Sequence, residues 1–101
     1  MINLDSFFEP EAKAEFFEAI AWYSAKSPDL AKQFAEEVLA TVDRAKAQPE
    51  IFKRVRGRAR KVRLKRFRAY SIYFAIKDDA FSVISIFHGA RNPDELRRRL
   101  K

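Results

Sequence analysis

The chain has 101 residues, of which 48% are hydrophobic and 35% are charged, and its formal net charge is +7. This length fits one domain, and the apolar fraction is sufficient for a buried core and too high for a disordered chain. The absence of cysteine excludes disulfides and thiolate chemistry. No leader of secretory type and no apolar run near the roughly 18 residues of a membrane span occurs. We therefore expect one soluble, cytoplasmic domain over residues 1–101.

The charge is divided unevenly along the chain. Residues 1–50 carry five Lys and Arg against ten Asp and Glu, whereas residues 51–101 carry sixteen against four. The density is highest from Lys53 to Arg68, where ten of sixteen residues are basic and none is acidic. A field of one sign attracts an anionic partner, although a solvated charged face is the alternative. We interpret Lys53–Arg68, the basic segment, as the working surface.

The first half of the chain predicts a strand followed by two helices. Residues 2–8 begin with an alternation of β-favourable residues, which indicates a short strand. Pro10 suits the first turn of a helix, and apolar residues at helical spacing extend this helix to about Ala25. Ser27 is a suitable N-cap for a second helix that ends at Gln48. The short connection predicts an antiparallel helical hairpin.

The second half changes to a period of two. Residues 60–65 alternate basic and apolar side chains, as in a half-buried strand with cations on its open face. Residues 70–76 and 81–87 predict two further strands joined by an Asp-Asp turn, in an antiparallel meander. Residues 92–100 predict a short helix. The predicted order is β-α-α-β-β-β-α, an α+β fold with a helical hairpin packed on a small, largely antiparallel sheet.

Few side chains are available for catalysis. The single histidine, His88, excludes a multi-histidine metal site, and two glycines cannot form a Gly-rich phosphate loop, so we expect no metal and no cofactor. Ser82 and Ser85 lie inside a predicted strand, which does not present them as nucleophiles. His88 is either a packed or capped side chain at a strand exit, or a proton carrier or phosphate contact beside Arg91.

Two tyrosines are the other candidates for proton transfer. Tyr70 and Tyr73 are three residues apart in one predicted strand and therefore lie on opposite faces of the sheet. Tyr70 shares its face with Ile72 and Phe74, so we expect it in the core. The role of Tyr73 stays open.

Several residue strings, taken in order, resemble the RelE/ParE toxin superfamily of bacterial toxin–antitoxin systems. Together they span roughly Phe8 to Arg99, and the predicted fold agrees with that resemblance. The strings are Phe8-Glu9-Pro10-Glu11-Ala12, Trp22-Tyr23, Pro28-Asp29-Leu30-Ala31-Lys32-Gln33-Phe34, Arg66-Phe67-Arg68-Ala69-Tyr70-Ser71-Ile72-Tyr73-Phe74 and Ile86-Phe87-His88-Gly89-Ala90-Arg91-Asn92-Pro93.

The resemblance implies a toxin that slows growth until an antitoxin binds it. The pattern His88-x-x-Arg91-x-Pro93 is more similar to the ParE branch, which poisons DNA gyrase so that cleaved DNA accumulates and is not a nuclease. The RelE branch cuts mRNA in the ribosomal A site with a C-terminal tyrosine, and this chain has no tyrosine after Tyr73. A gyrase poison without chemistry of its own is therefore the first hypothesis. The second is a ribosome-dependent mRNA endonuclease that uses Arg60, Arg66, His88 and Arg91, and the third is an accessory domain that only binds RNA or an antitoxin.

The partner that the resemblance implies is an antitoxin of ParD or RelB type, in a toxin–antitoxin hetero-oligomer. Such antitoxins have a DNA-binding part and an acidic, flexible C-terminal segment that folds on binding. We expect this segment on the basic strand edge beside exposed apolar side chains, and we expect the tail after Asn92 to be peripheral. The residues predicted to bind the antitoxin or the target are Arg58, Arg60, Arg63, Leu64, Lys65, Phe67, Arg91, Leu96 and Arg98.

Overall fold

The computed structural model describes Leu4 and residues 7–100. In this part of the chain, three α-helices and four β-strands form, and the strands make one antiparallel sheet in the order β1-β2-β3-β4. The predicted α+β class, with a helical hairpin on a sheet, is confirmed. The elements are α1 (Pro10–Lys26), α2 (Pro28–Ala47), β1 (Lys53–Arg56), β2 (Ala59–Arg63), β3 (Tyr70–Lys77), β4 (Ala80–His88) and α3 (Pro93–Arg99).

One serine both ends the first helix and begins the second. The backbone N–H of Ser27 donates to the carbonyl of Tyr23 at 2.8 Å, and its hydroxyl accepts from the N–H of Leu30 at 3.3 Å. Ser27 is extended, and a proline follows it in the first turn of α2. The predicted hairpin is therefore confirmed, with helix ends within one residue of the expected ones.

The first predicted strand lies mostly outside the described residues, which omit residues 1–3, 5 and 6. In the described part, Phe8 forms an isolated parallel bridge with Val83. The N–H of Val83 donates to the carbonyl of Phe7 at 2.7 Å, and the N–H of Glu9 donates to the carbonyl of Val83 at 2.9 Å. This contact attaches the start of α1 to the outer edge of β4.

The sheet has one strand that the sequence analysis does not predict. Strand β1 is exposed at all four positions, so no burial alternation marks it in the sequence. It pairs with β2 through a turn in which Gly57 has a φ of 55°. At the other turn, Asp78 and Asp79 have φ values of 54° and 64°, as a two-residue hairpin turn requires.

Each face of the sheet has its own hydrophobic core. The helical hairpin covers one face, where Phe34, Ile72 and Phe74 are fully buried. On the other face, Leu96 and Leu100 are only 6% and 5% exposed. Their partners in this second core are Ala59, Tyr73, Ile84 and Phe87. The expectation of a peripheral tail is therefore wrong, because α3 closes a core of its own.

A buried carboxylate joins the two layers at the outer edge of β4. Glu15 of α1 is 8% exposed and accepts from the hydroxyl of Ser85 at 2.8 Å and the N–H of Ile86 at 3.1 Å. It also accepts from Arg91 at 3.1 Å and from Arg99 at 3.0 Å. Because every acceptor site has a donor, the charge is compensated at its buried position.

Candidate functional site

The basic segment forms β1, β2 and the loop that leads to β3. Its side chains are mostly exposed, whereas Ala59, Val62 and Leu64 point into the two cores. Of its ten cations, Arg66 is the only one with an ion pair in the described part of the chain, to Glu37 of α2. The remaining cations are exposed, apart from the half-buried Arg60. An anionic partner would therefore gain from contact with this surface.

Several of these cations are held by backbone oxygens. Arg54 donates to the carbonyl of Gly57, and Arg60 donates to the carbonyl of Phe52 at 2.7 Å. Arg63 donates to the carbonyl of Arg68 at 2.7 Å. These bonds fix the positions of the guanidinium groups without neutralising their charge.

Glu37 holds the loop after β2 against the hairpin. Its carboxylate accepts from the N–H of Lys65 at 2.6 Å and from the N–H of Arg66 at 3.2 Å, besides the Arg66 guanidinium. The Glu37 carboxylate therefore binds the two backbone N–H groups that follow the end of β2. Sequence reasoning does not find this contact, because 28 positions separate Glu37 from Lys65.

The two edges of the sheet differ. On β4, backbone groups of Val83, Ile84 and Ile86 are bound from outside the sheet, by the segment before α1, by Arg99 and by Glu15 respectively. Strand β1 is the terminal strand on the opposite side, and no further described strand pairs with its outer edge. An unpaired strand edge can accept a strand from another chain.

Apolar side chains accompany the open edge. Ile51, Val55 and Ile76 are all exposed, and Ile76 lines a groove of about 280 Å³ with Arg54 and Arg58. The open edge therefore combines cations, unpaired backbone and apolar contacts.

The structure corrects the expected apolar contacts of the site. Leu64, Phe67 and Leu96 are buried, so the expectation that they are exposed beside the basic edge is wrong. Phe67 and Leu64 pack in the hairpin-side core, and Leu96 packs under α3. The other predicted binding residues are at the surface: Arg58, Arg63, Lys65 and Arg98 are exposed, and Arg60 and Arg91 are half-buried.

The four candidate nuclease residues are not brought together. Arg60 lines the groove beside β1, and Arg66 is bound to α2. His88 and Arg91 line a different cavity, an open cleft of about 860 Å³ between α1 and the ends of β3 and β4. Only this pair shares a site.

His88 is capped locally. Its Nδ1 accepts the N–H of Ala90 at 3.0 Å, so the ring proton of the neutral form lies on Nε2. The ring makes an edge contact with Tyr70, with centroids 4.9 Å apart. Tyr70 is half-buried: it packs against the hairpin-side core, as expected, and it also lines the cleft. Tyr73 is buried beneath α3.

The cleft also contains residues that sequence reasoning misses as site residues. Glu15, Glu18, Trp22 and Tyr23 of α1 line it beside His88 and Arg91. The exposure of Trp22, at 55%, departs from what a hydrophobic helix stripe predicts, as does that of Phe17 on the same helix. The pKa of the Tyr70 phenol is raised, first by burial and then by the neighbouring Tyr23 and Glu18. The positive charge of Arg91 lowers the same pKa.

Comparison with known protein families shows which family the chain belongs to. The family model for the ParE toxin of type II toxin–antitoxin systems, parDE, matches residues 7–93. The chain therefore belongs to the ParE toxin family, and it is the toxin of a type II toxin–antitoxin pair whose partner is a cognate antitoxin. No curated protein matches the sequence. Among the described residues, no helix is both long and apolar enough to cross a membrane, and no group of metal-ligating side chains forms.

Proposed function

We propose that this toxin is a cytoplasmic poison of DNA gyrase that acts by binding, and that the antitoxin neutralises it at the basic segment. The observation that supports binding over chemistry is the dispersal of the candidate nuclease residues. Arg60 and Arg66 are engaged away from His88 and Arg91. A nuclease needs its phosphate-stabilising cations and its proton carrier around one phosphate.

The antitoxin contact is proposed at the outer edge of β1. An extended acidic segment would supply backbone partners to the strand and carboxylates to Arg54, Arg56 and Arg58, and apolar side chains would meet Val55 and Ile76. The β4 edge offers no equivalent surface, because groups of the same chain already bind it. Charge complementarity on an open edge favours fast association that weakens with salt.

The target is tested by inducible expression in bacteria. A gyrase poison produces cleaved DNA and loss of supercoiling while transcripts stay intact. Cleavage of transcripts on ribosomes with normal supercoiling would contradict the proposal and favour the endonuclease. Absence of any toxicity would favour an accessory domain.

The docking surface is tested with a matched pair of variants. Replacing Arg54, Arg56 and Arg58 with Gln should weaken binding of the cognate antitoxin by about tenfold or more at low salt, because three charge contacts are lost. The control replaces the exposed cations Lys32, Arg44 and Lys46 of α2 with Gln, which gives the same change of net charge. Equal weakening in both variants would show that only overall charge matters.

A second candidate function has one observation in its favour. His88 and Arg91 share the cleft with Tyr70 and Glu18, so a cation and several titratable groups do converge there. An RNA-cleaving site on this set would be independent of Arg60 and Arg66. In the expression experiment, bacterial transcripts would then be cut, and the cleavage would depend on His88.

A further inference from the structure

The cleft between α1 and the ends of β3 and β4 has aromatic walls. Trp22 and Tyr23 are 5.0 Å apart by ring centroids, Tyr23 and Tyr70 are 6.2 Å apart, and Tyr70 and His88 are 4.9 Å apart. Ala19 and Ala69 add small side chains to the lining, which leaves space between the rings. A cavity of about 860 Å³ with this lining can hold a side chain of another molecule.

The charges of the cleft are nearly all compensated. Arg91 contacts Glu15 at 3.1 Å and Glu95 at 2.7 Å, and Arg99 contacts Glu15 at 3.0 Å. These four side chains form a neutral cluster. Glu18 remains, since it is exposed and has no ion pair with another described residue. Among the residues that line the cleft, Glu18 is therefore the charged group without an ion-pair partner, in a chain whose net charge is +7.

Polar groups with open hydrogen-bonding capacity lie beside this carboxylate. The hydroxyls of Tyr23 and Tyr70 and the Nε2 of His88 make no hydrogen bond to another residue in the described part of the chain. Glu18 and Tyr70 line the same cavity. The two phenol oxygens can accept hydrogen bonds from a cationic side chain, whereas the Nε2 of His88 carries the ring proton and can only donate.

The exposed tryptophan already holds a cation of its own chain. The Nζ of Lys26 lies 4.5 Å from the Trp22 ring centroid, a distance typical of a cation–π contact. Lys26 is exposed and lies one turn beyond Trp22 on α1. The ring face is therefore accessible to an ammonium or guanidinium group from solvent.

We propose that this cleft is a second docking site, which takes an arginine or lysine side chain from a protein partner. The cation would pair with Glu18, and its alkyl stem would lie against Trp22 and Tyr70. A nucleotide phosphate fits less well, because it would face the Glu18 carboxylate while Arg91 is already paired. The site is thus opposite in sign to the basic segment, and it does not depend on whether the toxin acts on gyrase or the ribosome.

The single tryptophan makes the site directly observable. The indole N–H of Trp22 gives one cross-peak in a ¹H–¹⁵N spectrum, because the chain has one Trp. The probe is the blocked tetrapeptide acetyl-Ala-Arg-Leu-Ala-amide, and the control is the same peptide with citrulline, which keeps the shape and removes the charge. We expect a saturable shift with the arginine peptide and binding weaker by about threefold or more with citrulline.

Three variants test where the arginine side chain of the peptide binds. Glu18→Gln should remove the preference for arginine over citrulline, and Glu36→Gln, an exposed acid on α2, should leave it unchanged. Lys26→Met should tighten binding of the arginine peptide by about twofold or more, because it removes a competing cation from Trp22. Equal binding of both peptides by the wild type, retention of the preference in Glu18→Gln, or preferential binding of guanosine monophosphate would overturn the proposal.

Discussion

The buried carboxylate of Glu15 gives the sharpest stability prediction. Glu15 is 8% exposed, and its partners Arg91 and Arg99 are 37% and 17% exposed. Glu15→Gln retains an oxygen for Ser85 and Ile86 but turns an amide NH₂ toward two guanidinium groups. Breaking a buried pair costs about 3–5 kcal/mol, and the partial exposure of Arg91 places the expected loss at the lower end, about 3 kcal/mol.

The loss is measurable by urea unfolding followed by circular dichroism. For a domain of this size, about 3 kcal/mol corresponds to a melting temperature lower by roughly 12–24 °C. Glu36→Gln is the control, because it removes an exposed acid from α2, and its effect should stay within about 0.5 kcal/mol.

A double-mutant cycle separates the ion pair from simple packing. Glu15→Gln with Arg99→Met should cost less than the two single changes added together, because the second change removes the charge left unpaired. A Glu15→Gln loss below about 1 kcal/mol would refute the reasoning, because the network would then contribute no more than a surface ion pair.

Four further outcomes follow from the contacts described. Leu96→Ala should lower the free energy of unfolding by about 2–5 kcal/mol, and truncation after Asn92 should lower it further, so lost toxicity in the truncated chain must be read beside its unfolding curve. Glu37→Ala should leave the melting temperature within a few degrees but increase hydrogen exchange at the Lys65 and Arg66 amides, and unchanged exchange would contradict the anchoring role. His88→Ala should leave gyrase poisoning largely intact. A steep loss of poisoning, with transcripts uncut by both the wild type and the variant, would contradict the proposal that the toxin acts on gyrase without His88. Above about pH 9, where phenols begin to ionise in the unfolded chain, stability should fall as pH rises. The reason is that burial raises the pKa of Tyr70 and Tyr23, so the native state binds more protons than the unfolded one; Tyr70→Phe should reduce this slope.

The helical hairpin and the meander follow from local rules that the sequence displays. Proline and serine fix the start of α2, and Asp78-Asp79 fixes the β3–β4 turn. Strand β1 could not be predicted in this way, because an edge strand exposed on both faces has no periodic burial. Its place depends on pairing with β2, which propensity does not describe.

The positive charge of the candidate site was predictable from the sequence, whereas its apolar contacts and the cleft were not. The density of arginine in the basic segment correctly indicated an exposed cationic surface. The burial of Leu64 and Phe67 was missed because apolar residues among cations look exposed when the covering helices are unknown. The cleft depends on Glu18 and Trp22, which lie about 50 residues or more from Tyr70 and His88, so only the folded chain brings them together.

The asymmetry between the two sheet edges has a consequence for the toxin when no antitoxin is present. Two copies cannot readily join through β1, because Arg54 and Arg56 of one strand would lie against the same cations of the other. They cannot join through β4 at the positions that Phe7, Glu9 and Glu15 occupy. The same arginines that we propose attract an acidic segment therefore keep the unneutralised protein from aggregating edge to edge.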